Sequence, residues 1–252
     1  MSNSNANRRL KRHEIPASLK REREKAIELA TKSIKHKSSK NAELLKAAAN
    51  GKHEKLVQLL TKGGVDINCK DIEREDTPLH YAVVAGMRKT VGYLIRQGAD
   101  PDPVNMKGQA PIHVAVYYDY ASIARCLASN DADVNKKDKD GNTPISLALE
   151  RNFERSFSAL VEYGANYKEA TRTGAVPLLE AAARGWTTGV LAICDKCEED
   201  YLATQNAAGH TALHFAAVNG RKSVVEALLQ YSMALTKVRN AGGFLAVDLA
   251  TS

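Results

Sequence analysis

The chain has 252 residues, of which 44% are apolar, and it carries a formal net charge of +7. This is enough apolar sequence for a sizeable core, but there is no run of 18 or more apolar residues, so we expect no membrane insertion. The four cysteines, Cys69, Cys126, Cys194 and Cys197, are too few and too irregularly spaced for a disulfide framework in a chain of this length, which indicates a reducing compartment.

The positive charge is concentrated in the first 40 residues. They hold 12 Lys and Arg against 4 Asp and Glu, whereas the remaining residues hold 24 against 25. We expect a disordered basic arm over 1–17 and a charged helix over 18–40, because apolar residues recur at helical spacing from Leu19 to Ile34. The opening segment has no apolar stretch of the secretory kind, and its early glutamates argue against a mitochondrial presequence. We therefore expect a cytoplasmic and/or nuclear location.

The basic clusters of this region permit three interpretations. RRLKR at 8–12 and KRERE at 20–24 have the charge density of a nuclear import signal. A solvated helix that packs on the segment after it explains the same charges, and direct contact with nucleic-acid phosphates is the third reading. The candidate import residues are Arg8, Arg9, Lys11, Arg12, Lys20, Arg21 and Arg23.

A repeat of 33 residues organises the rest of the chain. It is marked by prolines at 78, 111, 144 and 177 and by alanines four residues after each of them. The copies read DTPLHYAVVAG at 76–86, APIHVAVYYD at 110–119, NTPISLALERN at 142–152, AVPLLEAAARG at 175–185 and HTALHFAAVNG at 210–220. A fixed period in this range predicts a stack of identical structural units.

Each copy has the signals of a helix pair. Thr77 can cap a helix, and the proline after it has a preset dihedral angle and no N–H to satisfy. Leu79, Ala82 and Val83 then form an apolar stripe that must pair with a second helix over 90–96. One helix pair is too thin to shield its own stripe, so neighbouring copies are expected to stack. The capping hydroxyl recurs at Thr143 and Thr211 and is replaced by Ala110 and Val176.

These segments resemble the ankyrin repeat, whose Thr-Pro-Leu-His opening stands here in DTPLH and whose Gly-Ala-Asp-Val-Asn close stands in QGADP, NDADVN and YGANY. The resemblance implies an all-α solenoid of stacked helix-turn-helix units with hairpin loops, preceded by the basic arm and helix. The expected repeats span about 41–75, 76–109, 110–142, 143–175, 176–210 and 211–243, with a partial copy over 244–252. We interpret the apolar residues of the partial copy as a natural end covered by a partner or as a cut in a longer chain.

The residues that could carry chemistry have structural explanations. His80, His113 and His214 share one repeat position, which favours a hydrogen bond between repeats over a metal site or a general base. Cys194 and Cys197 have the spacing of half a zinc site or a redox pair, but no second such pair accompanies them. Phosphate-binding, nucleophile-elbow and zinc-protease motifs are missing from the sequence. We expect no enzyme, no cofactor and no bound metal.

The resemblance implies a protein partner on the concave face, which is formed by the hairpin tips and the exposed positions of the first helices. The candidate partner-binding residues are Tyr81, Val84, Val114, Tyr117, Tyr118, Glu150, Arg151, Arg184 and Phe215. Tyrosine and arginine are favoured as interface anchors. Alternatively, Tyr117, Tyr118 and Tyr120 fill a loop that lacks the usual glycine at Asp119.

Two function hypotheses follow. In the first, the chain is a non-enzymatic adaptor that binds a protein partner and is monomeric when free. In the second, it is a nuclear regulator whose basic arm directs import or contacts nucleic acid while the repeats hold a transcription or chromatin factor. We favour the first, and we expect no nucleic acid among the principal partners.

Overall fold

The computed structural model describes residues 16–34 and 39–250. Within these residues the chain forms fourteen α-helices, most of them in antiparallel pairs. They are α1 (Ala17–Ile34), α2 (Lys40–Ala49), α3 (His53–Lys62), α4 (Pro78–Val84), α5 (Arg88–Arg96), α6 (Pro111–Tyr117), α7 (Ala121–Ala128), α8 (Pro144–Glu150), α9 (Glu154–Glu162), α10 (Pro177–Arg184), α11 (Thr187–Cys194), α12 (Glu199–Leu202), α13 (Ala212–Val218) and α14 (Lys222–Tyr231). Two 3₁₀ turns, Met233–Lys237 and Ala246–Leu249, follow α14. The predicted all-α solenoid is confirmed.

The helices stack in two rows. In the inner row, α2, α4, α6, α8, α10 and α13 pack on one another in this order, and in the outer row α5, α7, α9, α11 and α14 do the same. The buried apolar side chains of both rows form one cluster from Leu19 to Ala246. Leu79, Ala82 and Val83 are buried in it, as predicted. Each large side chain buried in this way contributes roughly 1.5 to 3 kcal/mol.

The inner helices begin where the sequence predicts. The hydroxyl of Thr77 accepts a hydrogen bond from the backbone N–H of His80, and Pro78 is the first helical residue. Equivalent side-chain caps are made by Thr143 and Thr211. Ala110 and Val176, in contrast, stand at the start of α6 and α10 without a side-chain cap. The substitutions noted in the sequence therefore remove a cap at these two helices.

The turn between the two helices of a repeat requires a left-handed residue. Gly86 and Gly185 take this position with φ of +72° and +81°. In the third and fourth repeats Asp119 and Asn152 take it instead, with φ of 54° and 62°. Asp and Asn tolerate this conformation better than other side chains. The loss of glycine at Asp119 therefore does not alter the path of the chain.

The three histidines of the repeat position link neighbouring repeats, as predicted. The backbone N–H of Thr77 donates to Nδ1 of His80 at 3.2 Å, and Nε2 of His80 lies 2.9 Å from the carbonyl oxygen of Gln109 in the next hairpin. A carbonyl only accepts, so the proton is on Nε2. The same contacts join His113 to the carbonyl of Asn142 and His214 to that of Phe244.

Two segments differ from the expected boundaries. The described part of the charged helix is α1, which ends at Ile34, whereas Lys40 belongs to α2, whose first turn is capped by Ser39. Residues 1–15 and 35–38, including most of the expected basic arm, lie outside the described residues. In the fifth repeat the close CDKCEEDY leads from the end of α11 into the short helix α12, and the hydroxyl of Tyr201 donates to the carbonyl of Tyr167 at 2.6 Å.

The uncapped start of α10 gives a first prediction. Replacing Val176 with the isosteric Thr should raise the free energy of unfolding by about 1 kcal/mol, because the new hydroxyl can accept a backbone N–H of the first turn. The reciprocal change Thr143→Val should lower it by a similar amount. Urea denaturation of both variants measures the difference, and an unchanged or lower stability of Val176→Thr would contradict the capping argument.

The buried histidines give a prediction for pH. Burial lowers the pKa of His80 and His113 below the ordinary value of 6.5. The unfolded chain then binds protons that the folded chain does not, so this contribution to stability is present above pH 6.5 and is lost as the pH falls below it. We expect a lower melting temperature at pH 5.5 than at pH 7.5, on the order of a few degrees.

A matched variant is available for this measurement. In the fourth repeat Ser146 stands where the second, third and sixth repeats have histidine, and its Oγ accepts from the backbone N–H of Thr143 at 3.0 Å without titrating. His113→Ser should therefore reduce the difference between the two melting temperatures. The same pH difference in the variant and the unchanged protein would show that His113 is not responsible.

Candidate functional site

The inner face, by which we mean the exposed side of the inner-row helices and of the hairpins before them, carries a cluster of three tyrosines at the end of α6. The ring centroids of Tyr117 and Tyr118 are 5.1 Å apart, edge to face, and those of Tyr118 and Tyr120 are 5.8 Å apart and stacked. Such pairs are favourable aromatic geometries. Burial, chiefly, raises the pKa of Tyr118 to about 12, so its hydroxyl stays protonated at neutral pH.

The fourth repeat extends this surface. The guanidinium carbon of Arg151, which follows α8, lies 3.5 Å from the ring centroid of Tyr117, a close cation–π contact. Glu150, the last residue of α8, is exposed beside it. An aromatic ring and a cation are thus in contact on the inner face, and an exposed carboxylate precedes the cation in the sequence.

The fifth repeat adds an anchored arginine. Nε of Arg184 donates to Glu180 Oε1 at 2.8 Å, one turn earlier on α10. Its guanidinium also donates to the carbonyl of Leu149 in the fourth repeat and lies 5.2 Å from the ring of Trp186. Arg184 therefore bridges two repeats, and its position is fixed before any partner arrives.

The structure corrects the expected exposure of three candidates. Tyr81, Val114 and Tyr118 are buried, with exposed fractions of 1%, 8% and 6%. Tyr81 faces inward because its hydroxyl donates to Oδ2 of Asp71 at 2.7 Å. The side chains of these three residues belong to the hydrophobic core beneath the inner face. The remaining candidates are half-buried or exposed and lie on the surface: Val84, Tyr117, Glu150, Arg151, Arg184 and Phe215.

Sequence reasoning missed the role of Asp71. Its carboxylate is buried and accepts hydrogen bonds from the backbone N–H groups of Glu73, Arg74 and Asp76, at 2.8 to 3.0 Å, besides the hydroxyl of Tyr81. A carboxylate that accepts several backbone donors closes a tight loop. Asp71 precedes the capping Thr77 by six positions, one more than Asn105 precedes Ala110 in the next repeat. This extra residue is the signal in the sequence that the loop differs from the others.

Helix α1 lies against the same face. Leu19 is buried at its contact with the first repeats, and α1 packs on α2 and α4. The hydroxyl of Tyr117 donates to Glu22 Oε2 at 3.0 Å, and Nη1 of Arg23 donates to the hydroxyl of Tyr120 at 3.2 Å. The expected packing of this helix on the first repeat therefore occurs, and it reaches the third repeat as well.

The candidate import residues are divided by this arrangement. Lys20 and Arg21 are exposed on α1, whereas Arg23 is half-buried at its tyrosine contact. The cluster Arg8, Arg9, Lys11 and Arg12 lies outside the described residues. An import role for these residues stays a prediction.

The cysteines occupy structural positions. Cys194 is buried at the end of α11, and burial raises the pKa of its thiol to about 12. Cys197 is half-buried, burial raises its pKa too, and its Sγ contacts the carbonyl of Cys194 at 3.9 Å. A thiol held protonated is a poor nucleophile and a poor metal ligand. In the described part of the chain, no group of three or more His, Cys, Asp or Glu side chains is placed to hold a metal ion.

Over residues 16–34 and 39–250, we find no helix with the combined length and apolar character needed to cross a lipid bilayer.

Comparisons with known proteins agree with this architecture. A family model described as ankyrin repeats (3 copies) matches residues 44–138, 85–171 and 112–204, and the model of the single ankyrin repeat matches 208–240. Because these matches cover most of the chain, it belongs to the ankyrin-repeat family. Ankyrin-repeat domains are protein-protein interaction modules whose stacked repeats present an extended binding surface.

Solved structures of ankyrin domains superpose on the chain. The ankyrin repeat domain of Bcl-3, described as a unique member of the IkappaB protein family, is 24% identical, with a TM-score of 0.61 over 83% of this chain and 93% of that one. The human ASB11 ankyrin repeat domain is 25% identical, with a TM-score of 0.57 over 82% of this chain and 91% of that one. The likeness to Bcl-3 concerns the fold.

The two adjacent tyrosines should respond differently to truncation. Tyr118→Ala removes a buried ring and should lower the free energy of unfolding by about 3 kcal/mol, whereas Tyr117→Ala removes a half-buried ring and should lower it by less than half as much. Urea denaturation at neutral pH measures both. Equal losses would mean that Tyr117 belongs to the core and not to the surface.

Proposed function

We propose that this chain is a non-enzymatic adaptor that holds a protein partner on its inner face, with the contact centred on the third to fifth repeats. The observation that carries the proposal is the fixed row formed by Tyr117, Arg151 and Arg184, which come from three successive repeats. Aromatic residues and arginines dominate binding energy at protein interfaces. Side chains that are already held in place lose less conformational entropy when a partner binds.

The charges of this row suggest what the partner offers. Glu150 and Arg151 lie together on the fourth repeat, and Glu180 and Arg184 form an ion pair on the fifth, with N–O distance 2.5 Å. A surface of alternating sign favours a partner with both acidic and basic side chains and does not favour a uniformly anionic one such as nucleic acid. This supports a protein as the partner.

The proposal gives the chain no catalytic role. His80, His113 and His214 are buried and use both ring nitrogens in hydrogen bonds to the backbone of the stack. The thiols of Cys69 and Cys194 are kept protonated, because burial raises the pKa of each to about 12. These three histidines and two thiols are thus engaged in structural contacts.

Affinity capture with the intact chain, followed by identification of the retained proteins, tests the proposal. Arg151→Ala together with Glu150→Ala should reduce capture of the partner about tenfold or more, the effect of losing an interface anchor. Arg155→Ala is the matched control, because Arg155 is only four residues after Arg151 but is exposed on the outer helix α9. Equal capture by all three chains would place the partner elsewhere.

A further inference from the structure

Helix α1 occupies part of the surface that we assign to the partner. Its Glu22 and Arg23 are hydrogen-bonded to Tyr117 and Tyr120, which belong to the tyrosine cluster of the third repeat. Along the chain these contacts join residues 95 and 97 positions apart. A partner that binds Tyr117 must therefore contact α1 or displace it.

The fit between α1 and the inner face is incomplete. A cavity of about 510 Å³ lies between α1, at Ala26 and Leu29, and the hairpins that carry Arg74 and Met106. Leu29 and Met106 on its two sides are each 52% exposed. Among the described residues, Nε of Arg23 is buried and has no acceptor. The unfilled space, lined by both charged and apolar side chains, and the unpaired buried donor both weaken the contact between α1 and the stack.

Few of the described side chains of α1 attach this helix to the stack. Of the α1 side chains that the structure describes, Leu19 is buried, whereas Leu29 is half exposed. A single helix of this length is only marginally stable in water without tertiary contacts. These features favour a reversible docking of α1, whereas the stack beneath it has its own continuous core.

We propose that α1 is an intramolecular occupant of the inner face and that the partner presents an amphipathic helix which takes its place. This rests on the proposed function. The contacts of α1 define the chemistry of that helix. It has an acidic residue for Tyr117, a basic residue directly after it for Tyr120, and a large apolar residue four positions after the acid. In α1 the last position is Ala26, one turn after Glu22, and its small side chain leaves the cavity open.

A peptide of residues 16–34 with Ala26→Leu, fluorescently labelled, is the probe for this exchange. It is titrated against the full chain and against a full-chain variant in which Leu19→Asp removes the buried contact of α1. The variant should bind the peptide at least tenfold more tightly than the intact chain, whose inner face is occupied. The peptide with Ala26→Leu should also bind more tightly than the peptide of unchanged sequence, because leucine fills more of the cavity.

Thermal melting establishes that the variant is folded. If Leu19→Asp unfolds the stack, the double change Glu22→Ala and Arg23→Ala replaces it, since Glu22 is exposed and Arg23 half-buried. Equal binding of the peptide to the intact chain and to a folded variant would overturn the inference, and so would no binding to that variant. Either result would make α1 a permanent cap of the stack.

The two proposals fail in different ways. If the peptide does not bind but capture of the partner still depends on Arg151, this inference alone is overturned. If the peptide binds but capture does not depend on Arg151, the proposed function is overturned. The exchange of α1 for the partner's helix is then overturned with it.

Discussion

The burial of one apolar seam shared by neighbouring helix pairs is the constraint on which the rest of this structure depends. A pair such as α4 and α5 is only two helices thick, so Leu79, Val83 and Leu94 leave water only because side chains of the adjacent repeats cover them. The free energy of burial thus belongs to the contacts between repeats. Because each repeat contacts only its neighbours, the stack is effectively one-dimensional, and corresponding residues are displayed in rows.

The row on the inner face is a direct consequence of this seam. Tyr117, Arg151 and Arg184 come from three repeats and are 34 and 33 residues apart along the chain, yet contacts within the stack orient all of them. The buried histidines reinforce the alignment, since each bonds the start of its own helix and the hairpin of the next repeat. The scaffold and the proposed binding surface therefore depend on the same contacts between repeats.

The sequence predicted those features that local chemistry determines. Threonine caps, prolines at the first helical position and the histidine contacts each recur at a fixed position in several of the repeats, and each is decided within about one repeat of sequence. The exposure of Tyr81 was wrong because Asp71, in a hairpin of unusual length, draws its hydroxyl inward. Tyr118 is buried because it stacks on Tyr120, beyond the end of α6, where helical periodicity no longer applies.

The position of α1 could not be derived from its own sequence. Periodicity identifies the helix, but its contacts with Tyr117 and Tyr120 join residues nearly one hundred positions apart, and no short-range pattern encodes them. This is also the contact with the greatest consequence for function, because it places α1 on the surface that we propose for a partner.

Hydrogen–deuterium exchange of the intact chain, read helix by helix, tests the central claim most directly. A shared seam predicts that the amides of α4, α6, α8 and α10 exchange most slowly, with protection decreasing towards α2 and α13 at the two ends of the stack. Fast exchange in any of the four central inner helices, while its neighbours stay protected, would show that the repeats do not depend on one another and would contradict the account.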